Sequence, residues 1–232
     1  MTIHLFDFGN GLVAAHKHSN GDGWVADTAS VDGTAKVSEN AQVSENAVIY
    51  GDAQVSGNAK VSENAKVFGD AQVSGNALVF GDAEVSENAQ VYGNALVYGT
   101  AEVYGDAEVT GYAQVYGNAL VYGTAKVYGD SKISGNAEAT GGAQVSENAI
   151  VFGNAQVYGN ALVFGDAMIS GNALVCGDAW VYGDSKISGN AEVTGDAQVY
   201  GDAIVFGHAK VSENAKVYGT AKVYEKETIN EN

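Results

Sequence analysis

Ala89-Gln90-Val91-Tyr92-Gly93-Asn94 followed by Ala95-Leu96-Val97-Tyr98-Gly99-Thr100 decides the fold, because the second six residues repeat the first. Within each unit Ala and Val stand two apart. On an extended backbone both point to one side, while the residue between them and the following Tyr point to the other. Gly and then Asn, Asp or Thr come next, and Gly, Asn and Asp tolerate positive φ and make corners. Each unit is therefore a short strand and a bend. A period of six matches neither 3.6 nor 3.5 and would put Gly into every second helical turn, which excludes a helix.

The same phase runs outward through almost the whole chain. From Val25 to Ile229 every sixth residue, 35 positions in all, is Val or Ile, with Ala139 the one exception. A second lattice of 33 positions from Ala29 to Ala221 holds Ala except at Ser131 and Ser185. Unbroken self-similarity of this kind calls for a coil of short strands, each stacked in parallel on the strand one turn away, around an Ala/Val interior.

Composition narrows what such a coil can serve. In 232 residues there are 11 basic side chains, all Lys, against 28 acidic ones, for a net charge of −17. Phosphate neutralisation needs a basic stripe and base reading favours guanidinium groups, so nucleic acid is disfavoured. An anionic membrane surface is disfavoured on the same ground. One Cys and no Pro leave no disulfide framework and no break in strand stacking. No apolar run reaches the length of a membrane span and no signal-peptide pattern opens the chain, so a cytoplasmic location is expected.

Units such as Ser44-Glu45-Asn46-Ala47 followed by Val48-Ile49 resemble the hexapeptide repeat of left-handed parallel β-helices, which place an aliphatic at i, Asn often at i+3 and a small residue at i+4. The resemblance implies an all-β triangular solenoid with three units, or 18 residues, per coil, hence about 11–12 coils, and a left-handed turn. The chain departs from that family at i+1, where Tyr or Phe is frequent and the enzymes carry small residues. Units rich in YGNAxV after Gly23-Trp24-Val25 are similar to solenoids of bacteria and their phages, which implies a phage or prophage particle component and a virion location. The organisation expected is an N-terminal cap or attachment segment at 1–24, a solenoid at 25–229 and a polar tail at 230–232.

Sorting outward residues by number modulo 18 tests the three-sided coil from within. One register carries Gln42, Lys60, Leu78, Leu96, Gln114, Lys132, Ile150, Met168, Lys186, Ile204 and Lys222, none acidic. A second carries Glu84, Glu102, Glu138 and Glu192, and a third is rich in Gln. Opposite charges fall one coil apart in Lys66/Glu84, Glu108/Lys126 and Glu192/Lys210, each worth tenths of a kcal/mol (roughly 0.2–1) as an exposed pair. Aromatic ladders are expected from Phe80 through Tyr98 to Tyr116, and from Phe164 through Tyr182 and Tyr200 to Tyr218, the latter beside Leu162 and Trp180.

Chemistry-bearing residues are few. By resemblance, enzymes of this fold are acyltransferases with a His near an extruded loop, or carbonic anhydrases with three metal-binding His. Here His208 replaces a corner Asn/Asp and no loop is extruded. His16-Lys17-His18 has the one ligand-like spacing, so His16 and His18 are weak metal candidates, with Asp22, Asp27 and a folded-back His4 as the further ligands on offer, beside a plain reading as cap residues. Cys176 reads as an incidental surface thiol, and Ser131 and Ser185 as buried hydroxyls bonded to carbonyls. Thr110, Thr140 and Thr194 are too scattered for an ice-binding array. No cofactor and no catalytic residue is expected.

Outward apolar residues are the remaining signal, since contiguous exposed apolar patches mark association. The expected interface is the first register, with Leu78, Phe80, Leu96, Tyr98, Tyr116, Ile150, Phe152, Met168, Ile204 and Phe206. The function expected is a rigid, non-catalytic structural or interaction protein that forms homo-oligomers through this face. An acyltransferase-like enzyme and a shaft that binds a carbohydrate or protein partner through Tyr and Trp180 are the alternatives.

Overall fold

A computed structural model describes residues 4–230, and they are all-β. The chain forms two compact units, Met1–Tyr112 and Ala113–Asn232. Together they hold about 11 coils of 18 residues. Among the described residues no helix is long and apolar enough to cross a membrane.

In the first unit the chain opens with an antiparallel hairpin of β1 (His4–Asp7) and β2 (Leu12–Lys17). β2 then pairs antiparallel with β3 (Trp24–Ala26), which begins the lattice. β3 pairs in parallel with Gln42–Val43, that strand with Lys60–Val61, and so on through Leu78–Val79 to Leu96–Val97. β4 (Ser30–Val31) and β5 (Lys36–Val37) start the other two sheets, each partner again 18 residues on. The second unit repeats the plan, as in the parallel series Lys132–Ile133, Ile150–Val151, Met168–Ile169, Lys186–Ile187 and Ile204–Val205.

The two sequence lattices are the core. Ala35 through Ala209 and Val37 through Val211 on these lattices have no exposed surface, and Ala139 is as buried as the Val residues around it. Burying one Val contributes about 1.5–3 kcal/mol, repeated coil after coil. Backbone groups close between coils, for example Asn154 N–H to the Gly171 carbonyl at 2.7 Å and Gln156 N–H to the Ala173 carbonyl at 2.9 Å.

Corners need positive φ, and at Gly81 (φ +76°) a Cβ would lie 2.8 Å from the Gly99 backbone N and O. Ser-Glu-Asn units nevertheless put Glu there, with φ of 60° at Glu63 and 57° at Glu147. Glu147 uses its place: its Oε2 accepts the Gly165 N–H at 2.9 Å, one coil on.

The segment between β2 and β3 passes over the first coil. Gly23 N–H donates to the Val37 carbonyl at 2.7 Å, and Val37 N–H to the Asn20 carbonyl at 3.1 Å. The Asn20 amide donates to the Thr34 and Ala35 carbonyls, both at 3.1 Å. A side chain at Gly23 would run into Val37, whose Cγ1 lies 2.5 Å from an ideal Cβ. Those bonds satisfy the free edge of β5, which a solenoid's first coil otherwise exposes. The hairpin itself stays largely open, with Leu5, Leu12 and Val13 exposed. Its turn is fastened by Asp7, whose carboxylate accepts the Gly9 and Gly11 N–H groups and is held below its usual value by them.

Candidate functional site

Outward side chains on a two-residue strand alternate with the buried lattice, so every coil presents one x residue and one i+1 residue per sheet. In the first unit Leu78 lies in register with Leu96, and Phe80 stacks on Tyr98 with centroids 4.9 Å apart and planes 1° from parallel. All four are half-buried. In the second unit Ile150 lies beside Met168, while Lys132 and Lys186 occupy the flanking coils and Lys186 pairs with Ile204. Tyr116, Ile150, Met168 and Ile204 are half-buried, and Phe152 and Phe206 are more open, at 37% and 38%. The expected apolar face is thus divided by lysines and partly buried by its own neighbours.

Each face is bounded by two corner columns, and these differ in chemistry. Beside the x residues of this sheet in the second unit run Asp130, Asn148, Asp166, Asp184 and Asp202. Asp166, Asp184, Lys186, Asp202 and Ile204 line a shallow groove there. Beyond the i+1 residues runs a chain of amides: Asn136 to Asn154 at 2.9 Å, Asn154 to Asn172 at 3.0 Å and Asn172 to Asn190 at 2.9 Å. His208 ends it, its Nε2 3.5 Å from the Asn190 amide. Ladders of identical amides one coil apart convert corner residues into a continuous hydrogen-bonded rail.

The Gln-rich register of the second unit carries the other aromatic run. Phe164, Tyr182, Tyr200 and Tyr218 stack with centroid separations of 4.9, 4.9 and 5.4 Å. Burial, with a smaller contribution from Tyr200, raises the Tyr182 hydroxyl above its usual value. Leu162 pairs with Trp180, which is 43% exposed. This apolar strip is more continuous than the one on the first register. It lies between two acidic columns, Asp178 and Asp196 on one side and Asp166, Asp184 and Asp202 on the other. The remaining register carries Glu138 and Glu192 on either side of Gln156 and Leu174, and Glu192 is bonded to Lys210 at 2.9 Å.

The residues that the sequence offers for metal and redox chemistry are not brought together. His16 Nδ1 lies 2.9 Å from an Asp27 carboxylate oxygen, whereas His18 is buried past the end of β2 against Asn20. No group of three or more His, Cys, Asp or Glu side chains placed to hold a metal occurs among the described residues. Of the two carboxylates near this pair in sequence, Asp27 rather than Asp22 meets His16, because β2 pairs antiparallel with β3. Cys176 is half-buried beside Tyr158, and its hydrogen bond is the main cause that raises the Tyr158 hydroxyl. Ser131 Oγ donates to the Tyr128 carbonyl at 2.8 Å, as a buried hydroxyl should. Ser185 differs: its hydroxyl is fully buried and has no partner among the described residues.

A family model, the YdcK beta solenoid repeat, matches residues 71–87, 89–105, 113–130, 143–157, 155–168, 167–183 and 197–213. No curated protein matches the chain. The matched stretches lie inside the stacked coils, and their period is that of the strands. By fold the chain is a β-solenoid, and seven stretches of its coils are similar to the YdcK beta solenoid repeat.

Proposed function

We propose that the protein is a rigid, non-catalytic structural or interaction module that associates with further copies of itself through the first-register face. The observation that carries this reading is the distribution of charge in the second unit. That face alone combines outward strand positions without an acidic residue and one flank, the Asn column, free of carboxylates. A body of net charge −17 repels its copies wherever acidic rows meet, so association is least opposed there. Ile150, Phe152, Met168, Ile204 and Phe206 supply the apolar contact. The resemblance to phage solenoids makes a particle component the natural setting for such a module.

An acyltransferase-like role is less well supported. The candidate His208 is engaged with the Asn column, and among the described residues the strands of the solenoid keep their six-residue phase without an outward loop that could wall off a donor. Carbohydrate binding on the Gln-rich face meets a geometric difficulty. The inner rings of the ladder spend both faces on one another and leave only edges for a sugar, so exposed ring area is confined to Trp180, Tyr128 and the terminal Tyr218, which are separated from one another.

Sedimentation velocity across about 1–100 μM tests the proposal. Reversible dimers or higher species are expected, and Ile150→Lys with Ile204→Lys should shift them toward monomer by tenfold or more in Kd. A strict monomer over the whole range would sink the reading.

A further inference from the structure

The face proposed for association has a handed order of columns, and that order fixes how two copies meet. From one edge to the other the second unit presents Asp166, Asp184 and Asp202; then Ile150, Met168, Lys186 and Ile204; then Phe152, Ser170, Ser188 and Phe206; then Asn154, Asn172, Asn190 and His208. Two identical faces can be related by a two-fold axis along the coil direction or by one across it. An axis across the coils places each column on its own copy, so the Asp row would face an Asp row. An axis along the coils exchanges the outer columns and the inner columns. The Asp row then faces the Asn/His row, and the x residues face the i+1 residues.

In this second arrangement every row finds a complement. Each Asn amide carries two N–H groups and the ladder uses one, so Asn172 and Asn190 keep an N–H outside the rail. Asp184 and Asp202 accept no side-chain bond among the described residues, and all these corner residues are exposed. Donors and acceptors repeat at the same step because both columns advance by one coil. Coil by coil, Asp166 meets Asn172 of the second copy, Asp184 its Asn190 and Asp202 its His208. Ile150 and Ile204 meet Phe152 and Phe206, while Lys186 meets Ser188 rather than another lysine. Hydrogen bonds to a charged acceptor are the strong ones, and like charges set directly opposite are a specificity device against the wrong orientation.

We infer that the partner on this face is a second copy of the chain running in the same direction, held by a parallel two-fold in which the Asp column of each copy binds the Asn/His column of the other. The inference rests on self-association through this face.

Its test is the triple variant Asp166→Ala/Asp184→Ala/Asp202→Ala, with Glu138→Ala/Asp178→Ala/Asp196→Ala as a control that removes the same charge elsewhere. Sedimentation equilibrium should show the first variant dissociating about tenfold or more readily than the unaltered protein, and the control no more readily. Tighter association of the first variant than of the control would mean that Asp rows face each other, which overturns the parallel pairing while leaving self-association intact. Unchanged association would remove the Asp column from the contact. An unaltered protein that stays monomeric would instead remove the second copy itself. Should the triple variant fail to fold, Asp184→Cys with Asn190→Cys in a Cys176→Ser background decides the matter. Mild oxidation is expected to give a covalent dimer from the double substitution and none from either single one. A dimer from Asp184→Cys alone overturns the parallel arrangement.

Discussion

At the scale of single residues, the buried lattice tolerates a hydroxyl only where a carbonyl accepts it. Ser131 meets that condition through Tyr128, and Ser185 does not. An unpaired buried hydroxyl forfeits its bonds to water, a cost of about 1–3 kcal/mol. Ser185→Ala should therefore raise stability in a denaturant titration by about 1–2 kcal/mol. Ser131→Ala should lower stability or leave it unchanged; equal gains from both would show that neither hydroxyl is bonded. Identity and side were legible at these sites, since Ser replaces Ala on a lattice that points inward. Which hydroxyl finds a partner was not, because that depends on rotamer and on carbonyls in the same and the next coil.

The strands are individually too short to be stable, so each element here is a column rather than a strand. The amide rail illustrates this, because Asn154 both donates to Asn172 and accepts from Asn136. Asn154→Ala breaks two rungs at once and should cost about 1–2 kcal/mol, read as a lower urea midpoint with an unchanged slope. The rail, the ion pair Lys66–Glu84 at 2.6 Å and the ring stacks all join residues 18 apart, and the sequence shows each as soon as it is written in rows of 18. Lys66 is correspondingly held above its usual value by Glu84. Exposure was less legible. Ile150, Met168 and Ile204 read as open apolar residues, yet neighbouring coils at sheet spacing half-cover them.

For the molecule as a whole, the interior is a thin double lattice with no reserve of bulk, so one charge inside it has no place to go. Val121 is fully buried, and Val121→Asp should destabilise the fold by more than about 4 kcal/mol through an unpaired carboxylate in an apolar column. Circular dichroism melting checks this: a midpoint equal to the parent's would place Val121 outside the core. The ends follow different rules from the middle. The Ala and Val lattices lose full burial there, as at Ala221 and Ile229, which line an open hollow with Val217 and Val223. In the first unit segment His18–Gly23 closes over β5.

The sequence by itself determined the strand period, the inward lattice, the corners and the 18-residue register. All of these arise from local alternation and from identical contacts repeated at a fixed separation. Tertiary structure alone decided how residues 18–23 cross the first coil, that His16 turns to Asp27 while His18 turns inward, and that Ser185 is left without a partner. It also decided how far each outward residue is shielded. Those outcomes depend on non-repeating contacts and on the side chains of adjacent coils, which no single period encodes.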